Sequence, residues 1–267
     1  YGEIRDRVRR GSLTLRSGLA RTFWVRETET FEDGVPRGPT LSSNYLVESY
    51  LQVQAAERPN RAFGIVHPDS DNRVAVSIVV DESGSMRNSL PGTWAILSSL
   101  VEALESIGGK SNVVGIRTHF DRNYVTAPKG AADPYHRDYP VTYDVLKRWE
   151  ETGSRARARL GAISADGGTP LADGVEYGWN SIARRPERYR AVLVLTDGVP
   201  NEGQLPVLRF QVRRAAEQKI PLIGVGFGEE AKFVREVFET AVWAERVEGV
   251  FPGIVEILKT LIRTLRA

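Results

Sequence analysis

From residue 74 onward the chain alternates apolar runs of strand length with segments of helical period, and no other feature of the sequence restricts its fold as much. The runs cover residues 74–80, 113–118, 191–195 and 222–227, with a shorter one near Val247. They are apolar at consecutive positions instead of every second one, so both faces of the strands must be covered. Between them Trp94, Leu97, Leu100, Val101, Leu104 and Ile107 recur at helical spacing, as do Leu171, Val175 and Trp179, and then Leu208, Val212 and Ala215. This alternation specifies a doubly wound, Rossmann-like α/β fold, with a mostly parallel sheet flanked by helices. At 251–267, Ile254, Leu258, Leu261 and Leu265 share one helical face, and this segment is expected to pack back on the sheet.

Two regions break the pattern. Residues 121–165, with "APKGAADPYHRDYP" and "SRARARL", read as a long irregular or partly helical excursion, and excursions of that length in a compact domain tend to be functional loops or small accessory elements. Residues 1–73 are less regular still. Their first 26 residues hold seven Arg, with Leu15, Leu19 and Phe23 at helical spacing, and "EDGVPRGP" reads as a loop. The expected organisation is an Arg-rich, partly helical N-terminal extension (1–73), an α/β domain (74–250) with an insertion at about 121–165, and a C-terminal helix (251–267).

Composition then excludes several function classes. A net charge of +2 over 267 residues argues against general nucleic-acid binding. The absence of Cys removes disulfides, thiol catalysis and cysteine-ligated metal. No stretch approaches the ~20 apolar residues of a membrane span. The first residues carry no signal-peptide core, so a cytoplasmic setting without membrane attachment is expected.

The chemistry concentrates where the first strand ends. Its apolar run stops at Asp81, and Ser83 and Ser85 follow at alternating positions around Gly84. In an open parallel sheet ligands bind at the carboxyl ends of the strands, near the point where strand order reverses. A tight loop there turns one carboxylate and two hydroxyls toward a common centre. Two later turns have the same character. "DGGTPLADG" sets Thr169 before Pro170, where Thr is a good N-cap and Pro a favoured first helical residue. "AVLVLTDGVPN" ends another buried strand at Asp197. Together Asp81, Ser83, Ser85, Thr169 and Asp197 offer hard oxygen ligands suited to Mg²⁺, with Mn²⁺ and Ca²⁺ equally permitted by that chemistry.

With D-x-S-x-S, a G-T-P-L turn and T-D-G at a strand end, the chain resembles the von Willebrand factor A (vWA) domain and its metal-ion-dependent adhesion site. "DESGSM", "GGTPLADG" and "LTDGVPNEG" are most similar to the branch that works with AAA+ ATPases of the MoxR type, including the CobT subunit of aerobic cobaltochelatase. The upstream "LVESYLQVQAAERPNRAFG" resembles the segment preceding the A domain in CobT-like proteins. The resemblance implies that Ser83 and Ser85 bind the cation directly, Thr169 directly or through water, and Asp81 and Asp197 through coordinating waters. It further implies that a partner's Asp or Glu completes the coordination, and that a MoxR- or CobS-type AAA+ ATPase is the partner in a cobaltochelatase-like complex. The stretch from Ser85 to Thr169 exceeds the family's usual gap.

Other readings fit less well. A phosphatase using Asp81 as nucleophile needs a second carboxylate where Ser83 stands, and "ESGSM" lacks the first glycine of G-x-S-x-G. "GGTPLADG" lacks the Lys of a phosphate-binding loop, so the chain is not expected to hydrolyse ATP or to be an enzyme on its own. His67, His119 and His136 show no ligand spacing, although His119 follows the second strand at the same sheet edge. The Arg-rich start, Arg155, Arg157 and Arg159, and Arg184, Arg185, Arg188 and Arg190 read as solvated faces. A stand-alone adhesion-type module, or an RNA-associated one working through those arginines, is the competing expectation.

Overall fold

The computed structural model describes residues 30–37, 40–42, 44–67, 74–106, 108–119, 139–250, 252–254 and 256. The Arg-rich start, His136 and the apolar positions Leu258, Leu261 and Leu265 lie outside these residues. A smaller unit falls within residues 24–72 and a larger one runs from residue 73.

In the smaller unit, strands β1 (Thr30–Val35), β2 (Thr40–Leu41) and β3 (Phe63–His67) form an antiparallel sheet in the order β1-β3-β2, with helix α1 (Leu46–Gln54) between β2 and β3. The sequence pattern predicts no strand here and a loop over "EDGVPRGP". Instead, Glu32, Asp33, Gly34 and Val35 belong to β1. The pairing register shifts between Asp33 and Val35, where Gly34 adopts φ +75° and donates its N–H to Asp33 Oδ1 at 3.0 Å. This bulge lets turn-forming residues stay in a strand.

The larger unit contains β4 (Val74–Asp81), a 3₁₀ turn (Gly84–Asn88), α2 (Leu90–Ser106), β5 (Lys110–Thr118), β6 (Val141–Lys147) and α3 (Gly153–Leu160). It continues with α4 (Leu171–Ala183), β7 (Tyr189–Thr196), α5 (Gln204–Glu217), β8 (Leu222–Phe227), α6 (Val234–Val237) and β9 (Thr240–Ala244). The six strands run β6-β5-β4-β7-β8-β9, all parallel except β6, which is antiparallel to β5.

Alternation along β4 sorts the core. Val76, Ile78 and Val80 join Ile96, Leu97, Leu100 and Leu104 of α2 on one face. Ala75 and Val79 join Leu171, Val175 and Trp179 of α4 and Leu208 of α5 on the other. Every residue of β4 is buried, as expected for a central strand covered on both sides. Ile254 is buried in the α2-side cluster. Helix α4 lies unusually close to the sheet. A Cβ on Gly178 would fall 2.8 Å from Val192 Cγ1 and 2.9 Å from Val79 Cγ2, so only glycine permits that approach. Among the described residues no helix is long and apolar enough to cross a membrane.

Two sequence expectations are corrected. The 121–165 excursion holds a strand that the pattern does not predict, since β6 completes the sheet edge, while its helical part is α3. The last strand is Thr240–Ala244, and Val247 instead begins a 3₁₀ turn (Val247–Val250). Val247 packs against α2, where a Cβ on Gly92 would lie only 2.1 Å from its Cγ1.

Candidate metal centre

The chain leaves β4 and turns one way to β5, while β7 lies on its other side, so strand order reverses beside β4 and opens a crevice at the carboxyl ends. Asp81 is the last residue of β4 and is fully buried. Its Oδ1 accepts the Ser83 N–H at 2.8 Å, which folds the D-x-S loop back on itself. Its Oδ2 accepts the Thr196 hydroxyl of β7 at 2.7 Å. Across the crevice, Ser85 donates its hydroxyl proton to Asp197 Oδ1 at 2.7 Å, and Ser89 reaches Oδ2 at 3.4 Å. The two serine hydroxyls lie 3.0 Å apart, within hydrogen-bond distance of each other. Asp81, Ser83, Ser85 and Asp197 are therefore joined in one hydrogen-bonded group.

Thr169 enters through its backbone. The Gly167–Gly168 turn before it is bonded from three sides. Gly84 N–H donates to Gly167 O at 3.0 Å, Gly168 N–H donates to Thr118 Oγ1 at 2.7 Å, and Thr169 N–H donates to Asn201 Oδ1 at 2.7 Å. Gly167 has φ +70°, and a Cβ there would stand 1.9 Å from Thr118 O. Thr169 does not cap α4 as the sequence predicts. The helix begins at Leu171 with no side-chain cap from the residue before it, and Gln204 Oε1 accepts the Ala172 N–H at 3.3 Å. The Thr169 side chain is left without a hydrogen-bond partner among the described residues. Its hydroxyl is free to serve as a ligand.

The electrostatics favour a cation. Burial, with the Asp197 charge in support, raises the Asp81 carboxyl to about 6 against the hydrogen bonds from Thr196 and Ser83. Asp197 is likewise raised by burial, opposed by Ser85 and Ser89 and reinforced by Glu230. Neither carboxylate makes an ion pair among the described residues. Two acidic groups and three hydroxyls, with no compensating cation among the described residues, form a donor set that fits a hard divalent ion.

Several supporting groups carry no motif. Thr118, Thr196, Asn201 and Gln204 hold the loops, and Glu82 lies beneath them, fully buried, with Oε2 lacking a hydrogen-bond partner among the described residues. Their only sequence signal is a polar residue beside a glycine turn or at the end of a buried run. His119 is exposed after β5 and donates its backbone N–H to Pro140 O at 2.9 Å.

With this geometry in place, comparisons with known proteins agree on the fold. Residues 67–264 match the family model described as the cobalamin biosynthesis protein CobT VWA domain. The pilus adhesin SpaC from Lactobacillus rhamnosus GG superposes with a TM-score of 0.53 at 14% identity, over 73% of this chain and 30% of that one. Proximal thread matrix protein 1 from the mussel byssus, with a zinc-occupied MIDAS motif, gives 0.50 at 15% identity, over 72% and 47%. The vWF domain of the type V pilus tip protein Mfa5 from Porphyromonas gingivalis gives 0.50 at 10% identity, over 72% and 97%. This chain therefore spans less than half the length of SpaC and of the byssus protein. A search of curated proteins finds no significant relative. Family match, six-stranded sheet and crevice together make this chain a member of the CobT VWA-domain family.

Proposed function

We propose that the chain is a non-catalytic, Mg²⁺-dependent docking module that captures an acidic side chain of a partner protein, the partner being an AAA+ ATPase of the MoxR or CobS type. The observation that carries this reading is the joined group of Asp81, Ser83, Ser85 and Asp197, with two carboxylates lacking any counter-charge among the described residues.

Ser83 and Ser85 hydroxyls and the unengaged Thr169 hydroxyl would hold the ion, while Asp81 and Asp197 would orient its waters. Ser85 already directs its proton at Asp197, which leaves lone-pair density for a ligand. When bound, a hard divalent ion supplies an exchangeable Lewis-acidic position for a carboxylate. The chain's own part is to fix the hydroxyls at the mouth of the crevice above the buried Asp81, where a partner carboxylate can make a charge-assisted contact. Asp81 must release its proton for this, which ties docking to pH. A cytoplasmic setting accords with an ATPase partner.

Calorimetric titration of metal-free protein with MgCl₂ and MnCl₂, beside Asp81→Ala, tests the first half. One saturable site lost in the variant is expected, and equal titration of both proteins would remove the proposed centre. Pull-down of a CobS- or MoxR-type ATPase with and without chelator tests the second half. Retention that survives chelation and Asp81→Ala would refute metal-mediated docking.

A further inference from the structure

We infer that Asn201 is the positioning residue for Thr169, holding its hydroxyl in register with Asp197; this rests on the docking reading above. The two residues close a ring between separate loops. Thr169 N–H donates to Asn201 Oδ1 at 2.7 Å, and Asn201 N–H donates back to Thr169 O at 3.0 Å. Among the described residues no other residue bonds both the N–H and the C=O of Thr169.

The ring answers a physical need. Thr169 is buried and precedes the first turn of α4, so its N–H has no acceptor within the helix and would be orphaned. An amide oxygen at position 201 satisfies it. The surrounding residues are shaped for that contact: a Cβ on Gly168 would fall 2.6 Å from Asn201 Oδ1, so the second glycine of the turn makes room for the clamp. Three positions later Gln204 continues the same grip. Its Oε1 accepts Ala172 N–H at 3.3 Å and its Nε2 donates to Asp173 Oδ2 at 2.9 Å, with both side chains buried. Thus the start of α5 holds the start of α4. Asn201 also sits on the loop that carries Asp197, so the clamp ties that loop to Thr169.

The test uses the 267-residue chain with Asn201→Ala, Asn201→Asp and Asn201→Leu, read in two ways. The first readout is amide hydrogen exchange at Thr169 in metal-free protein, with the amides of β8 as an internal control. The second is the Mn²⁺ dissociation constant. Asp keeps an accepting oxygen at the same place and Ala does not. In Asn201→Ala the Thr169 amide is expected to exchange about tenfold or more faster. Mn²⁺ binding should weaken by roughly 10- to 100-fold, the range for losing a residue that orients a metal ligand. In Asn201→Asp, which keeps the accepting oxygen, both values should stay near wild type, whereas Asn201→Leu, which keeps the bulk without the acceptor, should behave like Asn201→Ala, a result that a purely space-filling role would not give.

Unchanged Thr169 exchange in Asn201→Ala overturns the clamp. Faster exchange with unchanged Mn²⁺ affinity overturns the positioning role. If Asn201→Ala does not fold, loss of Thr169 protection in folded Asn201→Asp overturns the clamp as well. Failure of the wild-type protein to bind Mn²⁺ refutes the docking reading itself and removes the positioning role with it, while the exchange readout still decides the clamp.

Discussion

Replacing Glu82 with Gln should stabilise the metal-free protein at alkaline pH and leave it nearly unchanged in acid. Glu82 directly follows Asp81, is 1% exposed, and lies against β5 so closely that a Cβ on Gly115 would fall 2.3 Å from its Cδ. Burial, and then the adjacent Asp144 carboxyl, raise it from 4.5 to about 8, against the opposing charge of Arg117. Arg117 is itself paired with Asp144 at 3.1 Å. The folded protein therefore keeps a proton that the unfolded chain releases above its ordinary value. For an acid raised in this way, the stabilising contribution is full below pH 4.5 and is lost as pH rises toward 8. At about 1.36 kcal/mol for each pH step, the loss between pH 5 and pH 8 has a ceiling of about 4 kcal/mol. Relaxation of the loop and entry of water bring an expected value of about 2 kcal/mol.

Gln has the shape of the protonated acid and does not titrate. Urea unfolding of both proteins at pH 5, 7 and 8.5 in chelator gives the difference directly, and the titrations of Asp81 and Asp197, common to both, largely cancel. The difference should grow in favour of Glu82→Gln by about 2 kcal/mol or more across that range, a substantial part of a total stability of about 5–15 kcal/mol. Parallel pH profiles would show that Glu82 is ionised in the folded state and refute the argument.

Three further outcomes follow from the site. Because Asp81 holds its proton up to about 6, Mn²⁺ affinity measured by calorimetry should fall about tenfold for each pH step below that value. Thr196→Val removes the hydroxyl that donates to Asp81 Oδ2 at 2.7 Å while keeping its shape, so the pH midpoint of Mn²⁺ binding should move upward and thermal unfolding should show a loss of about 1–2 kcal/mol. Gly167→Ala requires a β-carbon 1.9 Å from Thr118 O at φ +70°, and should cost about 2 kcal/mol or more in urea unfolding and abolish Mn²⁺ binding.

The doubly wound sheet is legible in the sequence because β4, β7 and β8 are buried on both faces, and consecutive apolar residues advertise that directly. Strands β6 and β9 lack this signal. No residue of β9 is fully buried, so Thr240–Ala244 shows no distinctive run. In β6 the pattern is inverted: Tyr143 and Val145 are exposed while Lys147 is buried. Lys147 is tolerated there because its Nζ donates to Ser111 O at 2.7 Å and faces Glu105 at 3.9 Å, and burial lowers its pKa. Hydropathy treats a buried lysine as a loop residue, and only the tertiary partners reverse that reading.

The same omission hides part of the site's support. Asp81, Ser83 and Ser85 are readable because one tight loop sets their spacing, and Thr169 and Asp197 because each stands beside a glycine at an element boundary. Asn201 and Glu82 act across longer distances. The acceptor for Thr169 N–H lies 32 positions away, and nothing local to either residue announces the pairing. For Glu82 the pairing depends on β6, since Asp144 reaches it only once that strand is laid against β5 in antiparallel register, with Gly115 opposite Asp144. Without β6 in the sheet, Glu82 reads as an ordinary polar residue in a loop. With it, Glu82 becomes a buried acid linking the first loop of the site to the sheet edge, which is why its replacement by Gln probes both the edge strand and the crevice.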